Sequence, residues 1–295
     1  IIPTPTGVIR ALQLVSEHLE ENVMAVDIGG ATTDVFSNIL GEYFRTVSAN
    51  YGMSYSISNV LKDAGLEQIL FWLPADIDQS YVRNFIANKM LYPTYIAANV
   101  LQTVIEQAVA RAAIAMSKKQ HMQMNFNTKQ IGFLDKLKIT RDDLDKITEA
   151  FYFEKAQEAK KFHMYDINIL IGSGGVLSHA PRRNQAAMMM LDAFQPEGFT
   201  TLAVDSIFMM PQLGVLSTIH PKAATEVFHK DCLIYLGTSI SPVGTTKPGG
   251  SVGEYIIEIE EGEKFEGELK FGEMKQFDLP AVSYTHLTLP TKRIV

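Results

Sequence analysis

The chain has 295 residues, of which 46% are hydrophobic, and it carries a formal net charge of −7. This composition is typical of a soluble globular protein, and the lack of a basic excess argues against nucleic acid or an anionic membrane as a partner. One cysteine, Cys232, forms neither an intrachain disulfide nor a zinc knuckle, so we expect a cytoplasmic protein.

The first part of the chain is predicted to form a helix followed by three strands. Residues 4–21 place apolar side chains at helical spacing, with Thr6 as the expected N-cap. Three short strands follow at 22–28, 33–40 and 42–49, with turns rich in glycine between them. This order favours an antiparallel meander.

Helices are predicted next. One ends at Gly65, one is capped by Asp78, and the longest covers 93–119. Residues 120–137 lack clear periodicity and are predicted to be a loop, and a further helix is predicted after Thr140.

The remainder alternates strands and helices and then becomes rich in β-structure. Residues 166–181 are predicted to be a strand, a glycine loop and the start of a helix. A helix at 183–194, a strand at 200–205 and a helical segment at 209–221 come after it. Strands dominate from Cys232 onward. The pattern predicts an α/β protein with a mixed sheet flanked by helices and a β-rich C-terminal portion.

The first stretch with chemical potential is "MAVDIGGATTD", residues 24–34. A strand that ends in Asp27 places a carboxylate at a sheet edge, where it can hold Mg²⁺ through water. The glycine pair leaves backbone N–H groups open to phosphate oxygens, and the two threonines add hydroxyl donors. A plain hairpin turn is the structural alternative, but the complete string favours phosphate binding.

The second stretch is "ILIGSGGVLSHAP", residues 169–181. Its glycines permit close approach to a base or sugar, and the following helix start favours negative charge. The spacing is not that of a dinucleotide-binding fingerprint, so a Rossmann site fits poorly. A simple strand-to-helix turn is the alternative for this stretch taken by itself.

Together, these two stretches resemble the phosphate-2 and adenosine motifs of the actin-like ATPase superfamily, whose lobes are ribonuclease H-like. "TPTGVIRAL", just before them, resembles the helix that connects the two lobes of such proteins. Within the superfamily, "DIGGATTDVFS", "IGSGGVLSHAPR", "LDAFQPEGFTTLAVD" and "YLGTSISPVG" resemble the glutamate mutase accessory family, also called MutL. The resemblance extends in order over residues 1–280.

This resemblance implies ATP and Mg²⁺ as cofactors and an adenosylcobalamin-dependent mutase or aminomutase subunit as partner. It implies an ATP-hydrolysing chaperone that reactivates the mutase. The same resemblance implies that Asp27 and Asp34 are catalytic and that Asp27 also holds Mg²⁺ through water. It implies that the phosphates are bound by Gly29, Gly30, Thr32 and Thr33. It places at the adenosine the residues Gly172, Ser173, Gly174 and Gly175.

The first phosphate motif of the superfamily has no match in the chain. We therefore expect residues 1–248 to be the second lobe of a two-lobe ATPase, residues 249–281 a β-rich extension, and residues 282–295 a non-native tail. On this view the chain is a fragment that is inactive alone, and the ATPase activity belongs to the intact protein.

Two other classes of function stay open. One is a small-molecule enzyme on the same fold, either a hydantoinase-type hydrolase or a sugar kinase, although no catalytic base for such a substrate can be located. The other is a docking module that does not hydrolyse ATP. Arg111, on the long alanine-rich helix, is interpreted either as a side chain on a solvated face or as one that stacks on the base.

Overall fold

The computed structural model describes residues 4–39, 41–74, 76–124, 162–244, 246–258, 264–277 and 286–287. The chain divides into two compact units, Ile1–Ser241 and Pro242–Val295. The second-lobe, extension and tail assignments stay predictions.

The first unit contains a six-stranded mixed sheet in the order β3-β2-β1-β4-β5-β6. The strands β1, β4 and β5 are parallel, whereas β2, β3 and β6 run antiparallel to their neighbours. The meander of β1 to β3 and the α/β class are confirmed. The strands are β1 Val23–Ile28, β2 Thr33–Ile39, β3 Glu42–Ser48, β4 Ile169–Ser173, β5 Gly198–Asp205 and β6 Leu233–Ser241.

Helices cover both faces of this sheet. Side chains alternate between the faces of a strand. Val23 and Ala25 of β1 therefore pack in one hydrophobic cluster with the helices at 4–19 and 210–216, whereas Met24 and Val26 pack in another with the helices between 57 and 124 and at 183–194. The described helices are α1 Thr4–Leu19, α2 Ile57–Ala64, α3 Leu66–Leu70, α4 Gln79–Leu91, α5 Val100–Met124, α6 Gly175–Ser178, α7 Arg183–Phe194, α8 Met210–Leu216 and α9 Pro221–Val227.

The helices α1 and α8 touch backbone to backbone. A Cβ atom at Gly7 would overlap the carbonyl oxygen of Pro211, and one at Gly214 would overlap the carbonyl oxygen of Gly7. Both positions therefore need glycine. The prediction that Thr6 is the N-cap of α1 is wrong, because helical structure already includes Thr4 and a proline at position 5 is tolerated in a first turn.

The predicted helix ends are partly confirmed between β3 and β4. Gly65, with φ of 82°, ends α2, and the Asp78 carboxylate accepts a hydrogen bond from the Ser80 N–H at 2.9 Å. The long helix α5 begins at Val100 rather than at residue 93, because the Asn99 side chain accepts the N–H of Gln102 at 3.0 Å and caps the helix there.

The predicted loop at 120–137 is wrong for its first residues, since α5 continues to Met124. Residues 125–137 and the helix predicted after Thr140 lie outside the described residues. His121, near the end of α5, is buried between the hydroxyls of Ser37 at 2.8 Å and Thr46 at 2.9 Å. Burial lowers the pKa of this imidazole to about 4.

The second unit contains a three-stranded sheet in the order β8-β7-β9, with antiparallel pairing throughout. This agrees with the β-rich portion predicted from the sequence. The strand β9 lies within residues 282–295. The strands are β7 Ser251–Glu258, β8 Lys264–Lys270 and β9 His286–Leu287.

Candidate functional site

The two glycine-rich stretches meet at the carboxyl edge of the sheet. In the parallel pairing of β1 with β4, Asp27 lies opposite Ser173. Within the sheet, β2 and β3 lie on one side of β1, and β4 and β5 lie on its other side, so the strand order reverses between β1 and β4. In open α/β sheets, ligands bind at such a switch point, outside the carboxyl ends of the strands.

The loop after β4 lies directly against the end of β1. Gly174 has a φ of 99°, and a Cβ atom there would overlap the carbonyl oxygen of Ile28. Only glycine satisfies both conditions without strain. Gly175, the first residue of α6, has open space around the position of a Cβ, so nothing within the described residues fills the volume beside it.

The turn between β1 and β2 is held through its carbonyl groups. Its Gly29 and Gly30 oxygens accept hydrogen bonds from backbone N–H groups of residues 53–55 at 2.8 to 2.9 Å, and the Ala31 oxygen accepts the Ser56 hydroxyl. The N–H groups of Gly30, Ala31 and Thr32 donate no hydrogen bond among the described residues. Successive unpaired N–H groups in a turn form a concavity that attracts anions.

The segment that supports this turn was not recognised from the sequence. The sequence pattern assigns residues 51–56 no role at the site, yet they wrap the back of the glycine turn. The signal was Gly52, at which a Cβ atom would overlap the backbone of Gly30 and Ala31.

The two threonines of the turn have different environments. Thr32 is half-buried and its carbonyl accepts the Gly29 N–H at 2.9 Å. Thr33 is fully buried, and its hydroxyl donates to the Tyr51 carbonyl at 2.6 Å. This hydroxyl ties β2 to the loop after β3, and the place of Thr33 at the phosphates stays a prediction.

Three carboxylates approach one another along the same edge. Asp27 lies opposite Asp34 in the pairing of β1 with β2, and Asp205 ends β5. Burial raises the pKa of the Asp27 carboxyl from 3.8 to about 6, and the negative charges of Asp34 and Asp205 add to the rise. Ionisation of the Asp27 carboxyl is therefore costly when no cation lies beside it.

The other two carboxylates have their own donors. Asp34 is buried, and its Oδ2 atom accepts a hydrogen bond from Arg45 at 3.1 Å. Asp205 is fully buried and accepts the backbone N–H groups of Met209 and Met210 at 3.1 and 2.9 Å, at the start of α8. Asp205 was missed from the sequence, although it repeats the pattern of Asp27: an apolar strand that ends in aspartate.

Two buried polar atoms beside Asp27 have no partner among the described residues: Oδ1 of Asp34 and Oγ of Ser173. Buried polar atoms normally have partners, so such exceptions need an explanation.

The remaining glycine of the second loop, Gly172, packs against α7, because a Cβ atom there would lie 2.8 Å from Sδ of Met190. Its place beside the adenosine stays a prediction.

Arg111 matches neither of its two interpretations. Its Nε atom donates to Asp192 of α7 at 2.6 Å, and its guanidinium lies 5.6 Å from the centre of the Trp72 ring. These three side chains line a cavity of about 620 Å³ to which neither glycine loop contributes. Arg111 therefore joins α5 to α7 and stacks on a protein ring.

Within the described ranges, no three His, Cys, Asp or Glu side chains are close enough together to hold a metal ion. A cation at the carboxylate edge would therefore keep much of its water shell. Among the described helices, none combines the length and apolar character needed to span a membrane.

Comparison with known proteins agrees with the sequence resemblance. A family model described as MutL protein matches residues 1–232. Protein MutL of Clostridium tetanomorphum is 22% identical over 260 residues, which cover 78% of this chain and 50% of that protein. The chain thus spans about half the length of this relative. Because the family model matches most of the chain, the chain belongs to the MutL protein family, as predicted.

Proposed function

We propose that this MutL-family chain carries the phosphate-2 and adenosine side of an ATP site of the actin-like ATPase type. In the full-length protein, this site binds and hydrolyses ATP and serves to reactivate an adenosylcobalamin-dependent mutase or aminomutase. The observation that carries the proposal is the register pair Asp27 and Ser173, which brings two glycine loops together at the switch point of the sheet.

Phosphate binding is supported by the backbone of the β1–β2 turn. The N–H groups of Gly30, Ala31 and Thr32 are unpaired among the described residues, while the carbonyls of the turn are held from the other side. A turn whose donors are free and whose acceptors are occupied attracts anions. The Thr32 hydroxyl is the side-chain donor that we assign to the same phosphate group.

The carboxylate edge fits Mg²⁺. This ion prefers oxygen ligands, takes one or two carboxylates and keeps several waters. Asp27 and Asp34 supply carboxylates, and the Oδ1 atom of Asp34 is a buried acceptor without a partner among the described residues. When bound, Mg²⁺ would neutralise the charge that develops on the transferred phosphoryl group. Asp27 would orient a metal-bound water or the attacking water.

The loop after β4 is assigned to the adenosine. Gly174 lies against the end of β1, and the open space at Gly175 lies next to it. A flat base or a sugar can approach such a bare backbone closely. Ser173 and Gly172 lie below this surface, within the protein.

The mutase partner rests on family membership and on the resemblance alone. The full-length protein is the correct object for this test, since the chain spans about half of its relative. We expect Mg²⁺-dependent ATP binding by calorimetry, weakened by Asp27→Ala. Asp192→Asn, which changes a carboxylate paired with Arg111, is the matched control and should leave binding unchanged.

Three outcomes separate the candidate functions. ATP hydrolysis that increases with a cobalamin-dependent mutase supports the reactivating chaperone. Mutase binding without any nucleotide binding indicates a docking module. Ring opening or phosphorylation of a small substrate indicates an enzyme of the hydantoinase or sugar kinase type, and either of the last two results overturns the proposal.

A further inference from the structure

A line of polar side chains crosses three strands at the carboxyl edge. Asp34 of β2 lies opposite Asp27 of β1, and Asp27 lies opposite Ser173 of β4. Side chains at directly paired positions project from the same face of a sheet. The three side chains therefore form one row on one face, with Asp27 in the middle.

Both outer members of the row have an unused polar atom. Ser173 is 0% exposed and its hydroxyl has no partner, and Asp34 is 9% exposed with no partner for Oδ1 among the described residues. A buried polar atom without a partner destabilises the folded state, because it has lost its hydrogen bonds to water and gained none in the protein. Two such atoms, one on each side of a half-buried carboxylate, indicate that a polar ligand satisfies them.

Arg45 determines which oxygen of Asp34 is left over. Its guanidinium donates to Oδ2 at 3.1 Å and lies 5.8 Å from the centre of the Phe36 ring. The aromatic ring and the ion pair together hold the guanidinium in place. Since Oδ2 is occupied, Oδ1 is the oxygen free for a ligand.

We propose that Oδ1 of Asp34 and Oγ of Ser173, together with the Asp27 carboxylate, bind the water shell of a divalent cation of the Mg²⁺ type. Arg45 is the positioning residue that orients Asp34 for this contact. The inference rests on the proposed nucleotide site and deepens it, because it assigns Ser173 to the cation rather than to adenosine and gives Arg45 the role of orienting Asp34.

The chemistry of the row fits this class of ion. It consists of carboxylate and hydroxyl oxygens, which hard cations prefer, and it lacks the imidazole and thiolate ligands that zinc prefers. No set of three metal-ligating side chains surrounds the row within the described residues. Contact through bound water is therefore the mode that the geometry favours.

The test is the Mg²⁺ concentration that gives half-maximal ATP binding to the full-length protein, measured by calorimetry. Ser173→Ala removes only the unpartnered hydroxyl, and Asp34→Asn keeps the size of the side chain. Loss of a partner of this kind typically costs roughly 10–100-fold in metal affinity. We therefore expect both variants to need at least roughly 10-fold more Mg²⁺.

Matched controls are available in the chain. Ser117→Ala removes another fully buried hydroxyl that has no partner among the described residues; it lies on α5, which packs on the opposite face of the sheet. Asp192→Asn changes another carboxylate paired with an arginine. Neither should alter the Mg²⁺ requirement. Arg45→Lys should raise it less than Arg45→Met, because lysine retains the charge.

A second readout does not depend on turnover. With Mn²⁺ in place of Mg²⁺ and ATP present, electron paramagnetic resonance should show weaker Mn²⁺ binding in both row variants, at unchanged thermal stability in Ser173→Ala. If wild type binds Mg²⁺–ATP and the row variants behave like the controls, the inference is overturned and the nucleotide site stands. If wild type does not bind Mg²⁺–ATP, both are overturned.

Discussion

Replacing Asp27 by asparagine should make the folded chain more stable at neutral pH. The pKa of this carboxyl rises from 3.8 to about 6 on folding, mainly because of burial and then because of Asp34 and Asp205. The folded state therefore holds the proton more tightly than the unfolded state, and stability is lost as the pH rises through this interval. At pH 7 the group is ionised in both states, and the full cost of burying its charge is present.

The size of the effect follows from the shift. A change of about 2 pKa units corresponds to about 3 kcal/mol at pH 7, and roughly half of this at pH 5. An asparagine side chain has nearly the same shape and no charge, so Asp27→Asn should recover up to that amount. The gain should shrink steadily as the pH is lowered.

The assay is urea-induced unfolding of wild type and Asp27→Asn at several pH values between 5 and 8. Asp192→Asn serves as the control, because its carboxylate is paired with Arg111 and should give no stabilisation when it is removed. The reasoning is refuted if Asp27→Asn is equally or less stable at pH 7, or if its gain in unfolding free energy does not change with pH. A stabilising substitution that also weakens ATP binding would mark Asp27 as a residue retained for function.

Three further substitutions test other parts of the account. Burial lowers the pKa of His121 to about 4, so the unfolded state takes up a proton more readily than the folded state as the pH falls. Between pH 7 and pH 4, the unfolding free energy of wild type should therefore fall by about 3 kcal/mol relative to that of His121→Gln, as measured by urea unfolding at each pH. A difference between the two proteins that does not change with pH contradicts this. Gly174→Ala should lower the unfolding free energy by more than about 2 kcal/mol, because the new Cβ atom would overlap the Ile28 carbonyl. Gly41→Ala is the control, since Gly41 has a φ of 78° but open space around it, and it should cost about 1 kcal/mol. Equal decreases in melting temperature for the two variants would argue against the contact between Gly174 and Ile28. Arg111→Met should lower stability without changing ATP affinity by calorimetry, and weaker ATP binding would restore the base-stacking interpretation.

The features predicted from the sequence are those that depend on local patterns. The meander of β1 to β3, the strand before Gly172 and the end of α2 at Gly65 follow from alternation, apolar runs and turn residues within a few positions. The family resemblance also followed from short continuous stretches. These signals do not depend on which distant segments come together.

The features that the sequence did not reveal depend on long-range pairing. Asp205 joins the edge only because β5 lies beside β4, and Arg45 reaches Asp34 only because β3 lies beside β2. The sequence also did not reveal the contact of the Thr33 hydroxyl with the Tyr51 carbonyl, which forms because the alternation of β2 turns this side chain into the protein. Similarly, Arg111 finds its partner on α7, 81 positions away along the chain.

The proposed function requires that the edge formed by Asp27 and the two glycine loops binds the phosphates of Mg²⁺–ATP. The most direct measurement is calorimetric titration of the full-length protein with ATP, with and without Mg²⁺, for wild type and Asp27→Asn. We expect wild type to bind ATP in a Mg²⁺-dependent manner and Asp27→Asn, which should remain folded, to bind it much more weakly. Equal affinity in the two proteins, or no binding by folded wild type in the presence of Mg²⁺, would contradict the proposed function.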